Sequence, residues 1–335
     1  MIETISRDRL VELLELGSQQ RIAIIGDAML DVYLRGDVDR VSPEAPVPVV
    51  RIRDKELALG GAANVAQNVA AIGASADLVC AVGQDAEGQV ISSLLREIDA
   101  NTKSLVTVAR RTTTKTRVLA RSQQIVRFDE EEDTDISGDE VVRLIDAAIT
   151  AIDGADALVF EDYNKGVLTP ALITPAMEHA TRREIPVVVD PKYRNFFAYR
   201  GASIFKPNRR ELEAALGAAF DVEKPESLPE WFHKLGVDHL LLTLGDAGMA
   251  LVAADGEVGR VPTTAREVYD VVGAGDTVTA YLATMLACGA TPAEAAVIAN
   301  FAAGVEVAKL GAATVSIDEV IDAYDLFGTP EETVA

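Results

Sequence analysis

The chain is punctuated by short, unbroken apolar runs that stop on a carboxylate, an amide or a glycine. The first is Arg21-Ile-Ala-Ile-Ile-Gly-Asp27. A run without polar alternate positions has no solvent face, so it reads as a strand buried on both sides in a parallel sheet, with Asp27 at its carboxyl end. Similar runs at 77–82, 157–160, 186–190, 203–206 and 239–244 are separated by helical periodicities at about 60–72, 138–152, 170–183, 209–217 and 227–235. Strands alternating with helices imply crossover connections, so the fold class is α/β with a mainly parallel central sheet. A helix over 3–16 opens the series. A hairpin at 249–253 and 258–261 closes the sheet, and two alanine-rich helices fill about 275–308.

Two stretches break the alternation. Residues 32–59 form short alternating segments with Pro43, Pro46 and Pro48, and proline, which cannot donate to a ladder, confines such strands to an edge. Residues 103–129 alternate again, in Thr116-Arg-Val-Leu-Ala-Arg121 and Gln124-Ile-Val-Arg-Phe-Asp129. Together they read as a small β-sheet lid inserted into one domain spanning 1–335, because no repeat or low-complexity linker divides the chain. The acidic run 130–135 reads as a solvated loop, with cation binding as its alternative.

Charge restricts the ligands. The 31 Lys and Arg stand against 53 Asp and Glu, a net charge of -22, which disfavours docking on nucleic acid or an anionic membrane. An anionic substrate then needs a local cluster of cations, or a metal. Cys80 and Cys288, with no histidine at metal spacing, give neither a zinc site nor a disulfide framework, so a reducing cytoplasm is the expected compartment. The N-terminus carries charges where a signal peptide has its apolar run, and no uncharged apolar stretch reaches about 18 residues, so neither export nor a membrane span is expected.

Open parallel sheets bind ligands at the carboxyl ends of their strands. That makes Asp27, Asp162, Asp190, Asn208 and Gly245 the first candidates. The strongest local signal is Asp270-Val-Val-Gly-Ala-Gly-Asp-Thr277, which leads into a helix of small residues. Gly273 and Gly275 remove Cβ atoms, so that backbone amides at the helix start can close around a phosphate favoured by the helix dipole. Asp276 makes sense there if it takes the proton of an attacking hydroxyl while the amides hold the phosphoryl group. A helix cap on a tight turn is the alternative. Gly60-Gly-Ala-Ala-Asn64 is a second glycine-rich helix entry, which close helix packing alone would also explain.

In their order and spacing, Gly60-Gly-Ala-Ala-Asn-Val-Ala66 and Asp270-Val-Val-Gly-Ala-Gly-Asp-Thr277 resemble the first and second signatures of the ribokinase-like (PfkB) carbohydrate kinases. Asn208-Arg-Arg-Glu211 is similar to that family's Asn-x-x-Glu motif, and Thr243-Leu-Gly-Asp-Ala-Gly248 to its nucleotide-side turn. The resemblance runs from Ile22 to about Ile317. It implies a ribokinase-like three-layer fold and an ATP-dependent phosphotransferase with an alcohol group as acceptor. Asp276 would be the catalytic base, with Gly273, Ala274 and Gly275 as the catalytic turn before it and the amides of Ala274, Gly275 and Asp276 as the anion hole. Asp27, Asp31, Gly60, Gly61, Asn64 and Asp162 would hold the sugar. Lys192, Asn208, Glu211, Thr243, Gly245, Gly248 and Asn300 would serve the nucleotide, and Asn208 and Glu211 would also hold hydrated Mg²⁺, since Mg²⁺ keeps several of its waters. Helix capping is the alternative role of Asn208. Asp270 and the 311–316 loop resemble the family's monovalent-cation site, although no residue type there demands K⁺. Family members often pair through their lids, so a homodimer is expected.

Within the family, Gly26-Asp-Ala-Met-Leu-Asp31, residues 40–50, Thr114-Lys-Thr-Arg-Val-Leu-Ala-Arg121 with Gln123 and Gln124, and Asp162-Tyr-Asn-Lys-Gly166 resemble the heptose-phosphate branch. Its reaction is phosphorylation of O1 of D-glycero-β-D-manno-heptose 7-phosphate to the 1,7-bisphosphate. That branch is often fused to an adenylyltransferase, and with no His-x-Gly-His motif here the resemblance covers the kinase half only. Lys115, Arg117, Arg121 and Lys165 are the cations available for the sugar phosphate, and the first three can share one strand face; solvated lid charges are the alternative. Asp190-Pro-Lys-Tyr193, Lys206-Pro-Asn208 and Ser122 depart from the branch, which keeps a related sugar phosphate open as the acceptor. A non-catalytic sugar-phosphate sensor is the rival from another class. A dinucleotide-binding dehydrogenase is improbable because the turn after the first strand lacks Gly-x-Gly-x-x-Gly.

Overall fold

A computed structural model describes residues 5–121, 123–219, 221, 228–265 and 268–328; Ser122 lies outside the described residues. Helix α1 (Arg7–Gly17), capped by the Ser6 side chain, leads into β1 (Arg21–Gly26). The lid strands β2 (Ala28–Val41) and β3 (Pro48–Gly61) follow at once, then α2 (Ala62–Ala71), β4 (Ser75–Gly83), α3 (Ala86–Glu97) and β5 (Leu105–Val108). Strands β6 (Thr114–Ala120) and β7 (Gln123–Glu130) complete the lid. The body resumes with α4 (Asp139–Asp153), β8 (Ala157–Glu161), α5 (Pro170–Arg183), β9 (Val187–Asp190), β10 (Ile204–Phe205), α6 (Arg209–Leu216), α7 (Leu228–Leu235) and β11 (His239–Thr243). The hairpin β12 (Met249–Ala253) and β13 (Val258–Val261) and the helices α8 (Ala274–Ala287), α9 (Pro292–Glu306) and α10 (Ile317–Phe327) end the described chain.

Among the described residues the large sheet runs β13-β12-β11-β10-β9-β8-β1-β4-β5, parallel except at the β12 and β13 edge. The lid sheet runs β3-β2-β6-β7, with the proline-led β3 on an edge as its sequence requires. Alternation along the strands builds two cores. Ile24, Val159, Val188, Ile204 and Leu241 join the α2, α8 and α9 side, while Ile25, Phe160, Val189, Phe205 and Leu242 join the α4 and α5 side. This is the ribokinase-like three-layer α/β fold. Continuing the same parity to the carboxyl ends brings Glu161 and Asp190, direct neighbours in register, out on the side where α8 begins.

Three boundaries differ from the sequence reading. The lid starts at Ala28 and ends at Gly61 rather than at 32 and 59, because Ala28 pairs with Gly61 and the two strands rise directly from the end of β1 and the start of α2. Part of the 103–129 stretch belongs to the large sheet: Leu105 pairs with Cys80, so β5 is that sheet's edge and the lid resumes only at Thr114. Arg121 lies beyond β6, in the turn before β7, exposed and with φ +57. A register shift between Val118 and Leu119 also breaks the alternation, so Arg121 does not share a face with Lys115 and Arg117. Helices α3 and α10 had no counterpart in the sequence reading. Among the described residues no helix is long and apolar enough to cross a membrane.

Candidate active site

The turn before α8 sets the geometry. Gly273 sits at φ +99, and a Cβ on it would come within 3.1 Å of Glu306 Oε1 and 3.2 Å of Ala312, so only glycine fits. No side chain caps α8. The amides of Ala274, Gly275 and Asp276 are therefore left as helix-end donors for an anion. Asp276, buried in that first turn, accepts from Asn64 Nδ2 at 2.8 Å and from the Tyr163 hydroxyl at 2.9 Å. Burial pushes its carboxyl up to about 6, although Asn64 and Tyr163 pull the other way. Asn64 stands on the first turn of α2, which is entered through Gly61 at φ +58. Asn68 donates to the Asn64 carbonyl at 3.0 Å and accepts from the Thr277 hydroxyl at 3.1 Å, tying the starts of α2 and α8 together.

Beneath Asp276 the strand ends carry a buried charge cluster. Lys206 Nζ lies 2.8 Å from Asp190 Oδ2, and Lys192 Nζ lies 3.6 Å from Asp190 Oδ1 and 2.5 Å from Glu211 Oε1. Lys192 also sits 5.1 Å from the centre of the Tyr163 ring. Despite its burial, Asp190 is held below the ordinary carboxylate range by Lys206 and Lys192. Glu161, fully buried beside it, has neither oxygen partnered among the described residues. Burial, then the charges of Asp190 and Asp276, raise it well above the usual range, so it is held neutral.

On the other side of α8 a cavity of about 480 Å³ brings together Asn208, Thr243, Gly245, Gly248, Gly275 and Asn300. Apolar side chains such as Met249, Val271 and Val307 line the rest of it, which suits the flat face of a nucleobase. Asn208 and Glu211 form a reciprocal capping box: Asn208 Oδ1 accepts from Glu211 N at 2.9 Å and Glu211 Oε2 accepts from Asn208 N at 2.8 Å. The alternative reading of Asn208 as a cap is thus realised in the fold, and Lys192 occupies the remaining Glu211 oxygen. Asn300 donates to Pro262 O at 2.9 Å. Asp270 accepts from Val272 N at 3.0 Å and Gly311 N at 3.2 Å, joining the two loops of the expected monovalent-cation site. Glu306, fully buried next to Gly273, has both oxygens unpartnered among the described residues. Burial, then Asp270 and Asp276, push it up to about 8.

The sugar-side candidates divide. Asp27 is not available to a hydroxyl: its carboxylate accepts from the amides of Tyr163 and Lys165 at 2.9 Å and of Val167 at 3.1 Å. It acts as the anchor of the loop after β8. Asp162 points into the opposite core layer, accepting from Tyr199 OH at 2.8 Å and Asn164 N at 2.7 Å. Asp31 is the carboxylate that faces the lid, paired with Arg117 at 2.5 Å, and a Cβ on Gly60 would come within 2.9 Å of it. Arg117 also lies 5.2 Å from the centre of the Tyr33 ring. Lys115 and Lys165 converge from the lid and the body, each paired with Glu131. The acidic run 130–135 is therefore not merely solvated: Glu131 and Asp133 pair with Lys115, Lys165 and Arg194.

Five residues of this region escaped the sequence reading. Tyr163 lies inside a quoted segment but was not singled out, and Lys206 was visible only as a departure from a pattern. Glu161 is masked by the apolar run it ends, Glu306 by the alanine-rich helix it closes, and Asn68 had no signal beyond its spacing from Asn64.

Residues 19–319 match the pfkB family of carbohydrate kinases. The bifunctional protein HldE of Trichlorobacter lovleyi is 42% identical over 323 residues, which cover 96% of this chain and 66% of that protein. The namesake from Gluconacetobacter diazotrophicus is 45% identical over 319 residues, covering 92% and 66%. The chain thus spans just under two thirds of the length of these relatives. Among solved structures, Escherichia coli phosphofructokinase-2 in complex with potassium superposes with a TM-score of 0.77 at 21% identity, covering 92% of this chain and 100% of that one. Arabidopsis thaliana ribokinase complexed with ribose and ATP gives 0.72 at 20%, covering 91% and 98%.

Proposed function

The chain belongs to the pfkB family of carbohydrate kinases, phosphotransferases with an alcohol acceptor, and from that premise we propose that it transfers the γ-phosphoryl group of ATP to O1 of D-glycero-β-D-manno-heptose 7-phosphate. One observation carries the reading: a buried carboxylate, Asp276, stands among uncapped helix-end amides, between a nucleobase-sized cavity and a lid holding the basic residues. The heptose assignment rests on the segments at 26–31, 40–50, 114–124 and 162–166. A related sugar phosphate is the second reading, favoured by Lys206 where the branch carries threonine.

In this reading the acceptor oxygen attacks the γ-phosphorus, the bond to the ADP oxygen breaks, and Asp276 takes the released proton. The amides of Ala274, Gly275 and Asp276 meet the charge on the migrating phosphoryl group. Asn64 and Tyr163 orient Asp276, and Asp31 accepts from a sugar hydroxyl. Lys192, between Tyr163 and Glu211, links the two substrate sides. Mg²⁺, when bound, would neutralise phosphate charge; Asn208 and Glu211 offer the hard oxygen donors it takes, through its waters because their own oxygens are engaged. A monovalent cation fits the Asp270 region: Asp270 joins its two loops, and a cation there would favour the ionised form of the nearby Glu306, whose oxygens have no partner among the described residues.

Pairing of two lids is supported by Ile52, Val126 and Phe128, large apolar side chains exposed on the lid sheet. Sedimentation as a dimer that Phe128→Glu dissociates is the expected result. Phosphorus NMR of the products from a panel of free and phosphorylated sugars tests the activity. A 1,7-bisphosphate is expected; a product phosphorylated elsewhere, or none, would refute the assignment.

A further inference from the structure

Two of the cations that the sugar-phosphate reading offers to the acceptor, Lys115 and Lys165, are already in use. Lys115 Nζ, on β6, lies 3.1 Å from Asp129 Oδ2 and 3.4 Å from Glu131 Oε2; Lys165 Nζ, in the loop after β8, lies 2.7 Å from Glu131 Oε1. The lysine side chains are only 14% and 15% exposed. Glu131 therefore gives one oxygen to each of two cations arriving from different sheets, as two oxygens of a phosphate group would. Burial alone would raise its carboxyl, yet Lys165 and Lys115 hold it below the ordinary range, so it is ionised at neutral pH.

Glu131 is the first residue past β7, on a stretch without regular structure that reaches to α4. That stretch is strapped to the body: Ile136 N donates to Gly166 O at 2.9 Å, Arg110 donates to Thr134 O at 2.8 Å, and Arg194 pairs with Asp133. A Cβ on Gly166 would run into the Thr134 carbonyl, so the strap lies directly on the loop that carries Lys165. Asp27 in turn fixes that loop through three amides. The lysines are thus held at fixed places, while the anion between them rides on an exposed connection.

We propose that Glu131 is a built-in stand-in for the acceptor's phosphate: it bridges Lys115 and Lys165 in the free protein and is displaced by a dianionic phosphate group, taking the strap with it. A phosphate dianion attracts two ammonium groups more strongly than a carboxylate does, whereas a neutral hydroxyl in that place would leave Lys165 without a counter-charge and Lys115 with Asp129 alone. Glu131 therefore lowers the affinity of the lid for anions generally and reserves it for those carrying two charges. The inference rests on the sugar-phosphate reading for its biological meaning, but the pocket itself is testable with inorganic phosphate.

The experiment is titration of the full chain with inorganic phosphate. Removing the competing charge in Glu131→Gln should tighten phosphate binding roughly tenfold, and Lys165→Met in that background should abolish the gain; Glu131→Ala is the second variant, with the same expectation. In the wild type, phosphate should speed hydrogen exchange across 131–136. Unchanged or weaker binding in both Glu131 variants, or exchange indifferent to phosphate, would overturn the proposal and leave Glu131 a structural bridge. Turnover separates the two claims. If phosphate binding responds as expected but no sugar phosphate is consumed, the functional reading fails and the pocket stands. If a sugar phosphate is consumed with a KM that Glu131→Gln does not lower, the reading stands and the stand-in falls.

Discussion

Asn64 and Asp276 stand 212 positions apart in the chain and 2.8 Å apart in the fold, amide to carboxylate. Each occupies the first turn of a helix entered through a glycine at positive φ, Gly61 for one and Gly273 for the other. The two glycine-rich motifs thus form one device: α2 supplies the donor that orients the carboxylate, and α8 supplies the carboxylate and the uncapped amides around it.

Asp276→Asn keeps the shape, its oxygen accepting from Asn64 and its amide donating to the Tyr163 hydroxyl oxygen, but cannot take a proton. Turnover should fall by about 10³-fold or more, within the usual range for a general base, while the affinity for ATP stays within about twofold. Near-normal turnover would show that some other group receives the proton. Tyr163→Phe removes one of the two donors that orient Asp276 and should lower kcat more than it raises the KM for ATP.

Acidity gives an independent check. With its carboxyl raised to about 6, Asp276 is protonated and unable to act below that pH and ionised above it. The value of kcat/KM should climb tenfold per pH unit and level off near pH 6. Asn64→Ala removes a donor that favours the ionised form. A hydrogen bond to a charged group contributes about 1.5–3 kcal/mol and one pH unit corresponds to about 1.4, so the acid limb should move up by about one to two units. A limb that stays in place would separate Asn64 from the proton transfer.

Asp31 and Arg117 form a mostly buried pair at 2.5 Å, so neither can be removed cleanly. Arg117→Ala should raise the KM for the phosphorylated acceptor by about tenfold and leave the KM for ATP alone, but part of that loss comes from the stranded Asp31. The double variant Asp31→Ala/Arg117→Ala should therefore lose less than the product of the single effects. Simple multiplication of the two would mean that the residues act on the sugar separately.

What the sequence made legible follows from what backbone geometry demands of residue type. Strand ends, the hairpin at 249–261 and both glycine-rich helix entries carry local signatures: apolar runs, turn residues, and positions only glycine can hold. Partnership carries none. In sequence Asp27 looks better suited to a sugar hydroxyl than Asp31, which could merely satisfy a turn, yet amides some 140 positions downstream consume the first and leave the second in the lid. Arg121 keeps step with Lys115 and Arg117 on paper, and one irregularity after Val118 removes it. Strand β5 was assigned to the lid because four residues cannot announce which of two sheets they join.

Lys206 offers the sharpest test of the buried cluster. It is almost fully buried against Asp190, which it shares with Lys192. Lys206→Met deletes the closer cation and leaves Asp190 with Lys192 at 3.6 Å, which should cost about 3–5 kcal/mol in urea unfolding, the usual penalty for stranding a buried charge. The sign of the pH dependence follows. In the wild type Asp190 is held below its ordinary range, a stabilisation present at neutral pH and lost as pH falls through the folded value. In the variant its carboxyl should move above the unfolded value, so that its contribution is favourable in acid and lost as pH rises. Both changes shrink the deficit on acidification, and Lys206→Met/Asp190→Asn should recover most of it at pH 7. A deficit equally large at about pH 5, or a double variant no better than the single, would mean that Lys206 stabilises the fold through its packed stem rather than its charge.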